Sequence, residues 1–107
     1  MGPNINTIGL GDVYVPSEKV VAREIEGELI IVPIEGGVAD FNDALYTLNE
    51  TGRSIWDQLG QQTSLKMICD RLAEEFNAPM EKIQTEVLTL IQKLTEMEIL
   101  KKVGKLN

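Results

Sequence analysis

ALYTLNETGRSIWDQLG, residues 44–60, is the stretch whose reading decides the fold of this 107-residue chain. It begins as a strand: Ala44–Leu48 is short, apolar or β-forming, and carries neither charge nor proline. The period then changes. Asn49 or Thr51 can cap a helix by accepting from an N–H of its first turn, and Ile55, Trp56 and Leu59 follow on one helical face before Gly60 stops it.

Upstream, Val20–Ile25 and Leu29–Ile34 are two β-branched runs separated by Glu26-Gly27-Glu28, and the glycine supplies the positive φ of a short hairpin turn. Pro33 has no N–H to give, which puts it at a strand end or facing a sheet edge. The turn formers of EGGVADFND, residues 35–43, lead into Ala44–Leu48 as the third strand of an antiparallel meander. Residues 1–18, with Gly2, Pro3, Gly9, Gly11 and Pro16, hold no period and read as a flexible or loosely docked arm, with Ile8, Leu10, Val13 and Val15 available to pin it.

Downstream, Thr63 and Ser64 are natural caps for a second helix whose apolar stripe is Leu65, Ile68, Cys69, Leu72, Ala73 and Phe76. Pro79 suits the first turn of a third helix that buries Ile83, Val87, Leu90, Ile91, Leu94 and Met97. Ile99–Val103 extends as a terminal strand or frays. The expected architecture is α+β and winged-helix-like: a three-stranded antiparallel sheet followed by three helices (β-β-β-α-α-α). It spans residues 19–103, between the arm at 1–18 and a tail at 104–107.

Composition narrows the function. A chain of this length buries roughly 65% of its unfolded surface, enough for one core. There is no histidine, and the single Cys69 sits on an apolar stripe, so the usual general base, thiolate cage and internal disulfide are all missing. The acidic pair Glu74-Glu75 and the neighbours Glu96 and Glu98 come without a base or nucleophile and read as solvated helix faces. Neither Gly9–Asp12 nor Glu35–Val38 has the strand–loop–helix context of a phosphate loop. No enzyme activity, cofactor or metal is expected.

Seventeen acidic residues against ten basic give a net charge of −7, which disfavours nucleic acid and anionic membrane as partners. Lys101, Lys102 and Lys105 read as a solvated end. The longest apolar run, Leu29–Ile34, has strand length, and the N-terminus lacks the basic and apolar regions of a signal peptide, so cytosolic residence is the default expectation. A winged helix raises DNA binding, but the candidate recognition helix Met80–Glu98 carries Glu81, Glu86, Glu96 and Glu98 against Lys82 and Lys93, a charge that repels phosphate.

The third helix suggests a different use. Leu88 falls about a third of a turn from the core stripe, with Met80, Gln84, Ile91 and Thr95 on the same flank. That flank is a candidate groove wall. The other wall is the strand Ala44, Leu45, Tyr46, Thr47 and Leu48, whose open backbone can accept an added peptide strand if it lies at the sheet edge. The same edge is equally suited to the N-terminal arm or to a second copy of the chain, giving a structural homodimer.

Leu48–Leu100 resembles the PqqD family of pyrroloquinoline quinone (PQQ) biosynthesis proteins. Leu48, Asn49, Gly52, Ile55, Trp56 and Leu59 match its LN-x-x-[GA]-x-x-[IL]-W-x-x-[LF] segment. Thr63 or Ser64 with Ile68, Leu72 and Phe76 match its second helix, and Val87, Ile91 and Leu94 its third. The chain departs from the family's usual aspartate-glycine turn after the first helix, having Gly60-Gln61-Gln62. The resemblance implies a domain without catalysis that binds the leader of a ribosomal precursor peptide along the third strand and third helix. It further implies presentation of that peptide to a modifying enzyme, often a radical S-adenosylmethionine (SAM) protein. The implied contact residues are Ala44, Leu45, Tyr46, Thr47, Leu48, Met80, Gln84, Leu88 and Ile91.

Overall fold

Glu26 and Gly27 both take positive φ, 51° and 85°, and Ile25 pairs directly with Glu28, so the first hairpin closes on a two-residue turn. Positive φ at both central positions matches the twist of the strands it joins. The computed structural model describes residues 8–34 and 46–105; Ala44 and Leu45 lie outside the described residues. Its elements are β1 (Asp12–Pro16), β2 (Val20–Ile25), β3 (Glu28–Pro33), β4 (Tyr46–Leu48), α1 (Glu50–Leu59), α2 (Leu65–Phe76), α3 (Met80–Glu96) and β5 (Leu100–Lys105).

Strands β2, β3 and β4 form an antiparallel sheet in that order, and the three helices follow it, so the chain is α+β as its sequence indicated. Leu29 pairs with Leu48 and Ile31 with Tyr46, which stacks these side chains on the face that meets the helices. Thr47, between them in the strand, is exposed. A slip of one residue would exchange the two faces, so burial of Leu29, Ile31 and Leu48 fixes the register. The helices supply Ile55, Leu59, Leu65, Ile68, Cys69, Leu72, Ile83, Val87, Ile91 and Leu94 to the same core. Each such aliphatic side chain contributes about 1.5–3 kcal/mol on burial.

Local chemistry sets the helix ends. Asn49 caps α1 and Ser64 caps α2, accepting from the N–H of Gly52 and of Met67 respectively. Asn77 adopts the left-handed conformation that ends α2, and Pro79, extended, precedes the first residue of α3. Gln62 also takes a left-handed φ of 55°, in the Gly60-Gln61-Gln62 turn where an aspartate-glycine pair would have supplied that freedom more cheaply. Met97 was expected in the core. Instead α3 ends at Glu96, Glu98 turns the chain with φ 61°, and Ile99 is the residue that becomes buried.

The described part of the N-terminal arm is largely structured. Asp12–Pro16 pairs with Leu100–Lys105 in a second, two-stranded sheet, with a bulge between Val13 and Tyr14 opposite Val103. Val13 and Tyr14 are buried, Tyr14 within the main core. The Lys66 N–H donates to the Leu10 carbonyl at 2.7 Å, which joins the arm to the start of α2. Asp12 is fully enclosed; its Oδ2 accepts from the Gly9 N–H at 2.8 Å and lies 3.4 Å from Lys102 Nζ. Lys101 reaches Glu18 at 3.6 Å. Two of the three terminal lysines therefore hold ion pairs across the clasp rather than forming a free end. Among the described residues no helix is long and apolar enough to cross a membrane.

Candidate functional site

Strand β4 is one of the two edges of its sheet, and among the described residues no strand pairs with its outer side. The arm, one of the occupants considered for that edge, sends Asp12–Pro16 to β5 instead. Tyr46–Leu48 line a groove of about 420 Å³ between β4 and α3.

Tyr46, Thr47 and Leu48 form one wall, and Asn49, Thr51, Gly52 and Ile55 continue it into the first turns of α1. The opposite wall is the α3 stripe Thr85, Glu86, Thr89, Leu90 and Lys93. The junction between β4 and α1 is tight. A Cβ on Gly52 would stand 3.0 Å from Leu48 Cδ2 and 3.3 Å from Asn49 Oδ1, so any larger residue there makes the Leu48 side chain give way. Arg53, one residue on, contacts Glu24 and donates to the Gly27 carbonyl at 3.3 Å, tying α1 to the β2–β3 turn. Lys93 Nζ lies 5.5 Å from the centroid of the Tyr46 ring, a cation–π approach across the groove.

The expected contact residues divide accordingly. Tyr46, Thr47 and Leu48 line the groove, whereas Met80, Gln84, Leu88 and Ile91 do not. Ile91 is completely buried, and Met80 and Leu88 are half-buried against the core. The stripe Ile83, Val87, Ile91 and Leu94 has two flanks. At about 100° per residue Gln84 and Leu88 fall on one, and Glu86, Leu90 and Lys93 on the other. It is the second flank that turns toward β4. From the sequence, Thr85 and Thr89 carry no assigned role, Glu86 and Lys93 enter only the charge balance of the helix, and Leu90 is expected in the core. Thr51, Gly52 and Ile55, read from the sequence as cap and motif positions and not as contacts, also line the groove, and their place directly after an edge strand is a usable signal.

The groove offers a strand wall and a helix wall that is neutral apart from Glu86 and Lys93, with no nucleophile–base pair among its described residues. Cys69 is buried in the core, and burial with the nearby Asp70 carboxylate pushes its thiol up to about 11. Such geometry is suited to holding an extended chain.

Comparison with known proteins identifies the fold and the family. No curated protein matches the chain. A solved structure described as TbiB1 in complex with the TbiA(beta) leader peptide superposes with a TM-score of 0.66 over 81% of this chain and 94% of that one, at 20% identity. At that identity the likeness is one of fold. The family model for coenzyme PQQ synthesis protein D (PqqD) matches residues 28–100, which include β3, β4, all three helices and both walls of the groove. The chain belongs to the PqqD family.

Proposed function

We propose that the protein is a non-catalytic peptide-binding chaperone that takes the leader of a ribosomal precursor peptide as an added strand along β4 and presents it to a modifying enzyme of the radical SAM class. The observation that carries the reading is the outer edge of β4, which no described strand pairs with, beside a groove shared with α3. Strand addition takes its affinity from main-chain hydrogen bonds and its specificity from alternate side chains that meet the helix wall. Family membership and the fold shared with a leader-bound TbiB1 support the same partner class. Holding a leader would raise the effective concentration of the attached core peptide at the enzyme, without chemistry by this chain.

The contact set in this reading is Tyr46, Thr47 and Leu48 on β4 with Thr85, Thr89, Leu90 and Lys93 on α3. Ala44 and Leu45 remain part of the proposed strand. The test is an NMR titration of isotopically labelled protein with the leader of a precursor peptide encoded beside its gene. Amides of Tyr46–Leu48 and of 85–93 should shift together. Shifts restricted to β1 and β5 would refute the groove, and a concentration-dependent dimer in light scattering without peptide would show a second copy using the edge.

A further inference from the structure

Resting on the strand-addition reading above, we infer that the groove selects its peptide by charge and in one direction. A basic side chain sits toward Glu86, and an acidic side chain two or four residues later sits toward Lys93.

Glu86 and Lys93 are the two charged side chains among the groove's described lining. Both are exposed, and neither is in an ion pair among the described residues, where the pairs are Arg53–Glu24, Lys66–Asp70, Lys101–Glu18 and Lys102–Asp12. Lys82 and Glu96 lie within a turn of them on α3, yet form no such pair. The rest of the helix wall is neutral. Among the described residues the groove therefore holds one negative and one positive charge without an ion-pair partner.

Their spacing suits a strand. Seven residues is two helical turns, about 10.5 Å along the axis, and returns to nearly the same face. Residues on one face of an added strand recur about every 6.8 Å, so positions two or four apart bracket that distance within the reach of long side chains. Lys93 is held over Tyr46, at the start of β4, by the cation–π contact. A strand adding antiparallel to β4, as β3 does on the other edge, runs toward Tyr46 and so reaches Lys93 last, after Glu86, which lines the same groove two helical turns earlier on α3. Backbone pairing accepts any sequence, so rejection of like charges by the helix wall is where direction and register are set. The net charge of −7 by itself favours only a basic peptide; an acidic residue at one fixed position is a demand made by Lys93.

The test pans a displayed library of random twelve-residue peptides over the native protein and over the charge-swapped double variant Glu86→Lys, Lys93→Glu, which keeps the net charge. Native selections should enrich a basic residue followed two or four positions later by an acidic one. The swapped protein should enrich the reverse order, and a synthesised native binder should lose about tenfold in affinity to it. Thermal melts of both proteins establish that the variant is folded. If selected peptides lose binding to proline variants at Tyr46 or Thr47 but show no charge pair, or the same pair on both proteins, the charge inference is overturned and strand addition stands. Selected peptides indifferent to those prolines, or no enrichment at all, would overturn strand addition and this inference with it.

Discussion

The Gly52 N–H donates to Asn49 Oδ1 at 2.8 Å, while the missing Cβ of Gly52 leaves room for Leu48 at what would otherwise be 3.0 Å. These three residues turn an edge strand into a helix within a single step. They also explain physically why Leu48, Asn49 and Gly52 belong to one motif: one packs, one caps and one clears space.

Replacing Asn49 by Ala removes the cap of α1 and should cost about 1 kcal/mol, while Asn49→Asp should keep most of it. Gly52→Ala gains helix propensity of about 1 kcal/mol but forces Leu48 to move, at about 1–3 kcal/mol. The expected net is a modest loss, read in urea unfolding curves. A stabilised Gly52→Ala protein would show that the strand–helix junction is looser than its contacts imply.

The β1–β5 clasp is expected to be part of the cooperative fold. Tyr14 is buried in the main core, so Tyr14→Ala should destabilise by about 3 kcal/mol, a large share of the ~5–15 kcal/mol typical of small domains. Asp12→Ala loses its bond from the Gly9 N–H and its pairing with Lys102, which is half-exposed and can rehydrate, so about 1–2 kcal/mol is expected. Denaturant midpoints check both, and a Tyr14→Ala variant of unchanged midpoint would mean that the clasp opens independently.

Alkaline pH should weaken the fold. Burial and Asp70 raise the Cys69 thiol from 9.0 to about 11, and burial, then Asp12, raises the Tyr14 phenol above its ordinary value. Both groups are neutral when protonated, and the folded state holds those protons more tightly than the unfolded chain. The Cys69 contribution is complete below pH 9 and is lost as pH rises through about 11, and that of Tyr14 is complete below its ordinary value of 10.0 and is lost above it. Unfolding free energies measured from pH 8 to 11 should fall, with a shallower slope in Cys69→Ala and in Tyr14→Phe. The folded thiol should also resist alkylation at pH 8 until denaturant is added.

If the groove reading holds, the two flanks of α3 will separate in a binding assay. Leu90→Ala, on the β4 side, should weaken leader binding by about tenfold, whereas Gln84→Ala on the opposite flank should leave it unchanged. Fluorescence anisotropy with labelled leader peptide measures both. The reverse ranking would return the contact surface to the flank around Leu88.

The fold was largely legible because it is written in local periods. Alternation in Val20–Pro33, the caps at Asn49 and Ser64, and the apolar stripes of α2 and α3 each report what neighbouring residues do. The clasp was not legible in this way. Pairing of Asp12–Pro16 with Leu100–Lys105 joins segments almost a full chain apart, and neither has a strong pattern alone.

What the sequence determined by itself, then, was the β2–β3–β4 meander, the three helices with most of their core stripes, and a family motif of packing and capping positions. Only the tertiary structure decided which flank of α3 meets β4. A helix shows two flanks beside its core stripe, and nothing in a 3.6-residue period distinguishes left from right. That choice depends on how α1 and α2 seat the helix against the sheet, and it replaced Leu88 and Gln84 by Leu90, Thr89 and Lys93 as the residues facing the open strand.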